Sequence, residues 1–157
     1  MQIVLLVGTM TGTAQLVAQE MELALDDGET QVITKLMDGL DASVFADKSA
    51  VYLVCTSTYG QGDVPDNARK LYEELCTAKP DLAGLRYGVF GLGDRTYAET
   101  FNFGGKKFDE ILATLGAERI GERYQHDASS GTLAEEVALE WVQDWATLAR
   151  EKMSAAV

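Results

Sequence analysis

The chain is 157 residues long, 46% hydrophobic and 24% charged, which suits one ordinary soluble domain able to bury a core without disulfides or metals. Lys and Arg number 13 against 25 Asp and Glu, a formal charge of −12, so partners that need a basic face, such as nucleic acid or an anionic membrane, are disfavoured. No apolar run approaches the ~20 residues of a membrane span, and two cysteines with one histidine make no zinc or iron–sulfur pattern.

In chain order, residues 3–7 form a continuous apolar run, the length of a strand buried on both faces. The run is too short for a signal sequence and has no positive stretch before it, so the cytoplasm is the expected setting. Ala14, Val17, Ala18, Met21, Ala24 and Leu25 then recur at three and four residues, a helix face, and Asp26-Asp27-Gly28 stops it. Residues 30–36 read as a second strand and 51–55 as a third. Residues 65–76 are helical, with Ala68, Leu71, Tyr72 and Leu75 aligned. A fourth strand spans 87–92, and Phe108, Ile111, Leu112 and Leu115 mark a third helix. A fifth strand is expected between 117 and 125, and the last helix carries Leu133, Val137, Trp141, Val142, Trp145 and Leu148 on one face. Residues 1–152 read as one domain and 153–157 as a short tail.

This alternation predicts an α/β fold: a three-layer, doubly wound sheet of five parallel strands, in the order 2-1-3-4-5. In such sheets ligands sit beyond the carboxyl ends of the strands, so the loops after strands one, three and four should carry function. The glycines gather there: Gly8 and Gly12, Gly60 and Gly62, then Gly91, Gly93, Gly104 and Gly105.

The first loop, Gly8-Thr9-Met10-Thr11-Gly12-Thr13-Ala14, joins a buried strand to a helix start, where backbone N–H groups and the helix dipole favour an anion. Hydroxyls of Thr9, Thr11 and Thr13 could complete a phosphate cradle, or could simply cap the helix. A nucleotide-hydrolysing loop is excluded because no Gly-Lys-Ser or Gly-Lys-Thr occurs. A dinucleotide fingerprint fails because Thr96 stands where the third glycine after Gly91 and Gly93 should be. The loops after strands three and four each deliver one aromatic, Tyr59 and Tyr97. Singly these would be ordinary loop aromatics. Beside a phosphate cradle they could clasp a flat ring, stacking being worth roughly 1–3 kcal/mol per ring with nucleobases as the guide.

These three segments resemble the FMN-binding loops of the flavodoxin-like family. Thr9-Met10-Thr11-Gly12-Thr13 is similar to the flavodoxin phosphate-loop pattern Ser/Thr-x-Thr-Gly-x-Thr. The run from Thr56-Ser57-Thr58-Tyr59-Gly60-Gln61-Gly62-Asp63 through Val64-Pro65-Asp66-Asn67 resembles the FMN domains of sulfite reductase flavoprotein and the NADPH–cytochrome reductases. Gly91-Leu92-Gly93-Asp94-Arg95-Thr96-Tyr97 resembles both groups, with Asp94 as in flavodoxins proper where the reductases usually have Asn. The likeness runs nearly end to end, and the size is that of the small stand-alone bacterial flavodoxins.

The resemblance implies that Thr9, Met10, Thr11, Gly12, Thr13 and Ala14 hold the FMN phosphate. It places Ser57, Thr58, Tyr59 and Gly60 on one side of the isoalloxazine. Leu92, Gly93, Asp94 and Tyr97 fall on the other, with Tyr97 as the stacking ring. Asn102 and Asp127 take positions of further flavin or ribityl contacts. The reductases read Tyr-x-x-Phe-Asn, whereas three residues separate Tyr97 from Phe101 here. The implied partners are an NADPH-dependent flavodoxin reductase and an acceptor enzyme, and the implied state is a monomer.

Nothing near these loops reads as a general base or nucleophile. His126 reads as a surface or capping residue, Cys55 as a small core hydrophobe, and Cys76 as the same or weakly exposed. Trp141 and Trp145 read as core anchors of the last helix. The chemistry then belongs to the cofactor, tuned by the protein. Gly60 can turn its peptide at low steric cost, so that its carbonyl accepts a bond from a protonated flavin N5. Asp63, Asp66, Asp94 and Glu99 face Arg95 alone in the loops. One carboxylate ~10 Å from a reduced, anionic flavin at an effective dielectric of ~20 costs about 1.7 kcal/mol, roughly 70 mV for one electron. A low-potential carrier with basic-faced partners is the expectation, though the charge could serve solubility alone. The alternative is an FMN-dependent oxidoreductase acting directly on a small quinone-like substrate, which Tyr97 should obstruct. A receiver-type signalling domain lacks its acidic residues here.

Overall fold

The structure, a computed structural model, describes residues 1–9, 12–58, 62–94 and 101–155. Strands β1 (Gln2–Gly8), β2 (Gln31–Leu36), β3 (Val51–Thr56) and β4 (Arg86–Gly93) pair in parallel. Two short segments, β5 (Glu118–Arg119) and β6 (Tyr124–Asp127), both pair in parallel with β4. The sheet runs β2-β1-β3-β4-β5, the expected order 2-1-3-4-5.

Side chains alternate across the strands. Ile3, Leu5 and Val7 of β1, with Val51, Leu53 and Cys55 of β3, enter a core closed by α1 (Thr13–Leu25) and α4 (Ala134–Ala155). Val4 and Leu6, with Tyr52 and Val54, enter a second core closed by α2 (Asp66–Ala78) and α3 (Phe103–Thr114). Three layers result, and the crossovers lead away from β1 in opposite directions, so the carboxyl ends of β1 and β3 flank the switch point.

The fifth strand is split, which the apolar pattern does not announce. Tyr87 pairs with Arg119 and Phe90 with Tyr124, so residues 120–123 oppose only Gly88 and Val89. The Ile120 carbonyl, turned out of the ladder, accepts a hydrogen bond from Trp145 Nε1 at 3.1 Å. Gly88 makes this possible, since a Cβ there would collide with the indole. Arg119 and Arg123 both donate to the buried Asp109 carboxylate on α3, which also accepts from Tyr87 Oη at 2.6 Å. That network holds the split edge from the opposite layer.

The last helix runs on to Ala155, with Met153 against the first core. Its buried stripe differs from the expected one. Ala134, Ala138, Val142, Trp145, Ala146 and Ala149 are buried, whereas Leu133 is 60% and Leu148 46% exposed. The alanines let α4 lie close beside α1, and the larger leucines are displaced outward.

Replacing Gly88 with Ala should force the Trp145 indole out of the gap and lower the unfolding free energy by about 1–3 kcal/mol. Urea denaturation reads this directly, and a variant as stable as the parent would show that the indole is not wedged there.

Candidate functional site

The carboxyl ends of β1 and β3 meet with no room for a side chain at Gly8. A Cβ on Gly8 would stand 2.5 Å from Thr56 Oγ1, so glycine is required there for space. Ser57 N donates to Gly8 O at 3.0 Å, tying the second loop to the first. The first loop then turns on itself, with Gly12 N donating to Thr9 Oγ1 at 2.8 Å. Gly12 sits at φ 92°, in the left-handed region that glycine enters at least cost, with open space where a side chain would be.

Helix α1 begins there with no side-chain cap and no acidic residue in its first turn. The first N–H groups of a helix have no partner within it, and their dipoles favour an anion at this end. The bland reading, a loop whose threonines only cap the helix, finds no support at Thr9, whose hydroxyl closes the loop instead. Behind the first turn, Cys55 donates from Sγ to Ala14 O at 3.6 Å. Burial pushes the Cys55 thiol up to about 12, so it is inert.

The second and third loops are braced by one hydroxyl. Thr58 Oγ1 donates to Leu92 O at 3.2 Å and accepts from Gly104 N at 3.0 Å. It thus joins the end of β3, the end of β4 and the first turn of α3. Gly104 and Gly105, expected in the third loop, instead lie in that first turn and are buried. A Cβ on Gly104 would strike Ser57 O, and one on Gly105 would come within 3.2 Å of Gly91 Cα. Gly62, at φ 96°, packs against the Phe103 ring.

The structure therefore gathers Thr9, Gly12, Thr13, Ala14, Ser57, Thr58, Leu92, Gly93 and Asp94 at one end of the sheet. Met10, Thr11, Tyr59, Gly60 and Tyr97 lie outside the described residues, as do Arg95 and Glu99. Asn102 and Asp127 stand just behind. Asn102 is fully buried in a left-handed conformation, φ 56°, with Nδ2 donating to His126 O at 3.0 Å. Its Oδ1 has no hydrogen-bond partner among the described residues. Asp127 pairs in register with Gly93, and its carboxylate accepts from Ser129 N at 2.9 Å and Ser129 Oγ at 2.7 Å. His126 is not at the surface: it is 5% exposed, with Nε2 3.2 Å from Thr132 Oγ1.

Two contributors were passed over in the sequence. Asn67 in the first turn of α2 donates to Val7 O and accepts from Thr9 N, and Phe103 covers Gly62. Asn67 closes the loop motif that begins at Thr56, and an amide at a helix start that makes no cap is the signal that could have marked it.

A phosphate ester fits this donor set. It would meet a helix start whose N-cap residue, Gly12, has no side chain, open space at the Gly12 Cβ position among the described residues, and no carboxylate in the first helical turn.

The flavodoxin family model matches residues 5–141. The chain is 38% identical over 148 residues to flavodoxin YqcA of Escherichia coli strain K12, covering 94% of this chain and 97% of that protein. It is 49% identical to part of the NADPH–cytochrome P450 reductase of Sus scrofa, over 73 residues that are 46% of this chain and 11% of the reductase. Among solved structures, a point mutant of the flavodoxin from Pseudomonas aeruginosa superposes with a TM-score of 0.83 at 33% identity, over 94% of this chain and 98% of that one.

Replacing Thr58 with Val keeps the shape and removes both bonds of the brace. A partly buried acceptor and donor left unmet cost about 1–3 kcal/mol each at most, so thermal unfolding should start earlier and FMN should bind more weakly. An unchanged melting curve together with unchanged FMN affinity would show that the brace is dispensable.

Proposed function

Since the chain belongs to the flavodoxin family, an FMN-binding electron-transfer protein, we propose that it is a carrier with no substrate site of its own, working in the cytoplasm. Bound FMN supplies the redox chemistry. The chain supplies a phosphate seat at residues 9–14, and two loop walls, 57–60 and 92–97, for the ring. The observation that carries this is the joining of all three loops by described bonds: Gly8 to Ser57, and Thr58 to both Leu92 and Gly104. Loop roots tied to one another before the ring arrives favour one orientation for it.

Two groups that could otherwise serve turnover of a substrate are engaged elsewhere. The Cys55 thiol is sealed under α1, and His126 is turned toward Thr132. Tyr97 is proposed as the outer stacking ring, and Gly60 as the carbonyl that meets flavin N5. Asn102 and Asp127 support the loops from behind: one holds the β6 backbone and the other caps the turn that follows it.

The partners proposed are an NADPH-dependent reductase and an acceptor enzyme, each offering a basic face to a chain of charge −12. The rim is less bare than its composition suggests. Asp63 lies 3.2 Å from Lys107 and Asp66 3.4 Å from Arg69, all four part-exposed. Exposed pairs of this kind are weak, but each cation offsets its carboxylate's field at the flavin. The depression of potential is therefore smaller than four unpaired carboxylates would give. No helix among the described residues is long and apolar enough to cross a membrane, and the thiols of Cys55 and Cys76 are free, as suits a reducing compartment.

The purified protein should be yellow and release a compound of FMN mass on denaturation. It should take electrons from a flavodoxin reductase, at a rate that falls as ionic strength rises, and should not turn over NADPH and a quinone unaided. Turnover without a reductase would replace the carrier reading with a quinone-reducing enzyme.

A further inference from the structure

We infer that Asn67 is the positioning residue of the phosphate seat: it sets the backbone of the first loop for a phosphate ester without touching the ligand. The inference rests on the reading of residues 9–14 as that seat.

Asn67 stands in the first turn of α2, beside the carboxyl end of β1. Its side-chain amide straddles Gly8. Nδ2 donates to Val7 O at 3.1 Å, and Oδ1 accepts from Thr9 N at 2.8 Å. A parallel strand would bond the same two atoms; Met37 N, just past β2, already reaches Val7 O, and the Asn67 amide supplies the acceptor for Thr9 N where β2 has ended. Its second donor reaches Asp38 Oδ2 at 3.2 Å, in the segment after β2.

The stretch from Val7 to Thr9 is thereby held at several of its polar atoms. Val7 O also accepts from Met37 N at 2.9 Å, and Gly8 O accepts from Ser57 N at 3.0 Å. Thr9 N is held by Asn67, and Thr9 Oγ1 accepts from Gly12 N. Because Thr9 N is committed to Asn67, it is not a phosphate donor. What it contributes is direction: it sets where the Thr9 hydroxyl points and where the chain enters the turn to Gly12. Among the described residues Thr9 Oγ1 only accepts, from Gly12 N, which leaves its hydroxyl proton for an ester oxygen.

The residue type follows from the geometry. One group must donate to a carbonyl and accept from an N–H across a single intervening residue, and only a carboxamide of this length does both. Aspartate keeps the Thr9 bond, loses both donors, and sets a second carboxylate against Asp38. Alanine loses everything. Neither change removes an atom from the ring-binding walls.

The test separates the phosphate from the ring. Apo forms of the parent, Asn67→Asp and Asn67→Ala are titrated with FMN and with riboflavin, which shares the ring and lacks the phosphate, and flavin fluorescence quenching is followed. The parent should bind FMN much more tightly than riboflavin. Both variants should lose about tenfold in FMN affinity, about 1.4 kcal/mol, and stay within about twofold for riboflavin, so the preference for the phosphorylated ligand shrinks. Should the alanine variant fail to fold, the aspartate variant carries the comparison, and circular dichroism of each apo form shows which has folded. Equal losses for both ligands would make Asn67 a general structural residue and overturn the inference, as would an unchanged FMN affinity. A parent with no preference for FMN would instead refute the phosphate seat itself, and this inference with it.

Discussion

At the carboxyl end of the sheet, glycine backbone approaches its neighbours more closely than any side chain allows. Gly8 lies against Thr56, Gly104 against Ser57 and Gly105 against Gly91, and at each contact a single methyl group would collide or crowd. Close approach lets β1, β3, β4 and the first turn of α3 share hydrogen bonds directly, so the loops leaving them are positioned by the sheet rather than by their own sequences. Loops are ordinarily the variable, mobile part of a fold. Here their roots are as constrained as a strand.

That constraint also explains the chemistry. A phosphate held by helix dipole and hydroxyls, with no lysine or arginine in the loop, depends on the direction of those donors more than on their charge. An ammonium group can swing to find an anion, whereas a backbone N–H points where the chain points. A neutral seat of the kind proposed calls for a rigid frame, and the bonds around Val7, Gly8 and Thr9 are of that sort. The acidic chain around the site can then serve encounter with partners without being neutralised by the cofactor's own anchors.

Much of this was legible in the order of residues. Continuous apolar runs at Ile3 and Val51 mark strands buried on both faces, and the alternation with helical periods gives the strand order. Threonine and glycine at 9–13 are the signal from which the phosphate seat is proposed. The split fifth strand was not legible, because it depends on Trp145 reaching across the first core into the space above Gly88, a pairing of residues 57 apart in sequence. The outward placement of Leu133 and Leu148 was hidden likewise: a helix period does not say which of two adjacent stripes wins, and here the alanines win because α1 is close. Asn67 was read as part of a motif but not as a brace, since its partners Val7 and Thr9 become neighbours only once the sheet is wound.

The break in the outer strand has a practical consequence for anyone wishing to modify the molecule. Gly121 and Glu122 are exposed at its crest, while Arg119 and Arg123 on either side are anchored to Asp109. Extra residues spliced between 121 and 122 would loop into solvent, and the flanking anchors would keep their pairing with β4. A reporter peptide or a fused domain could be carried there, on an edge whose continuity the fold has already given up.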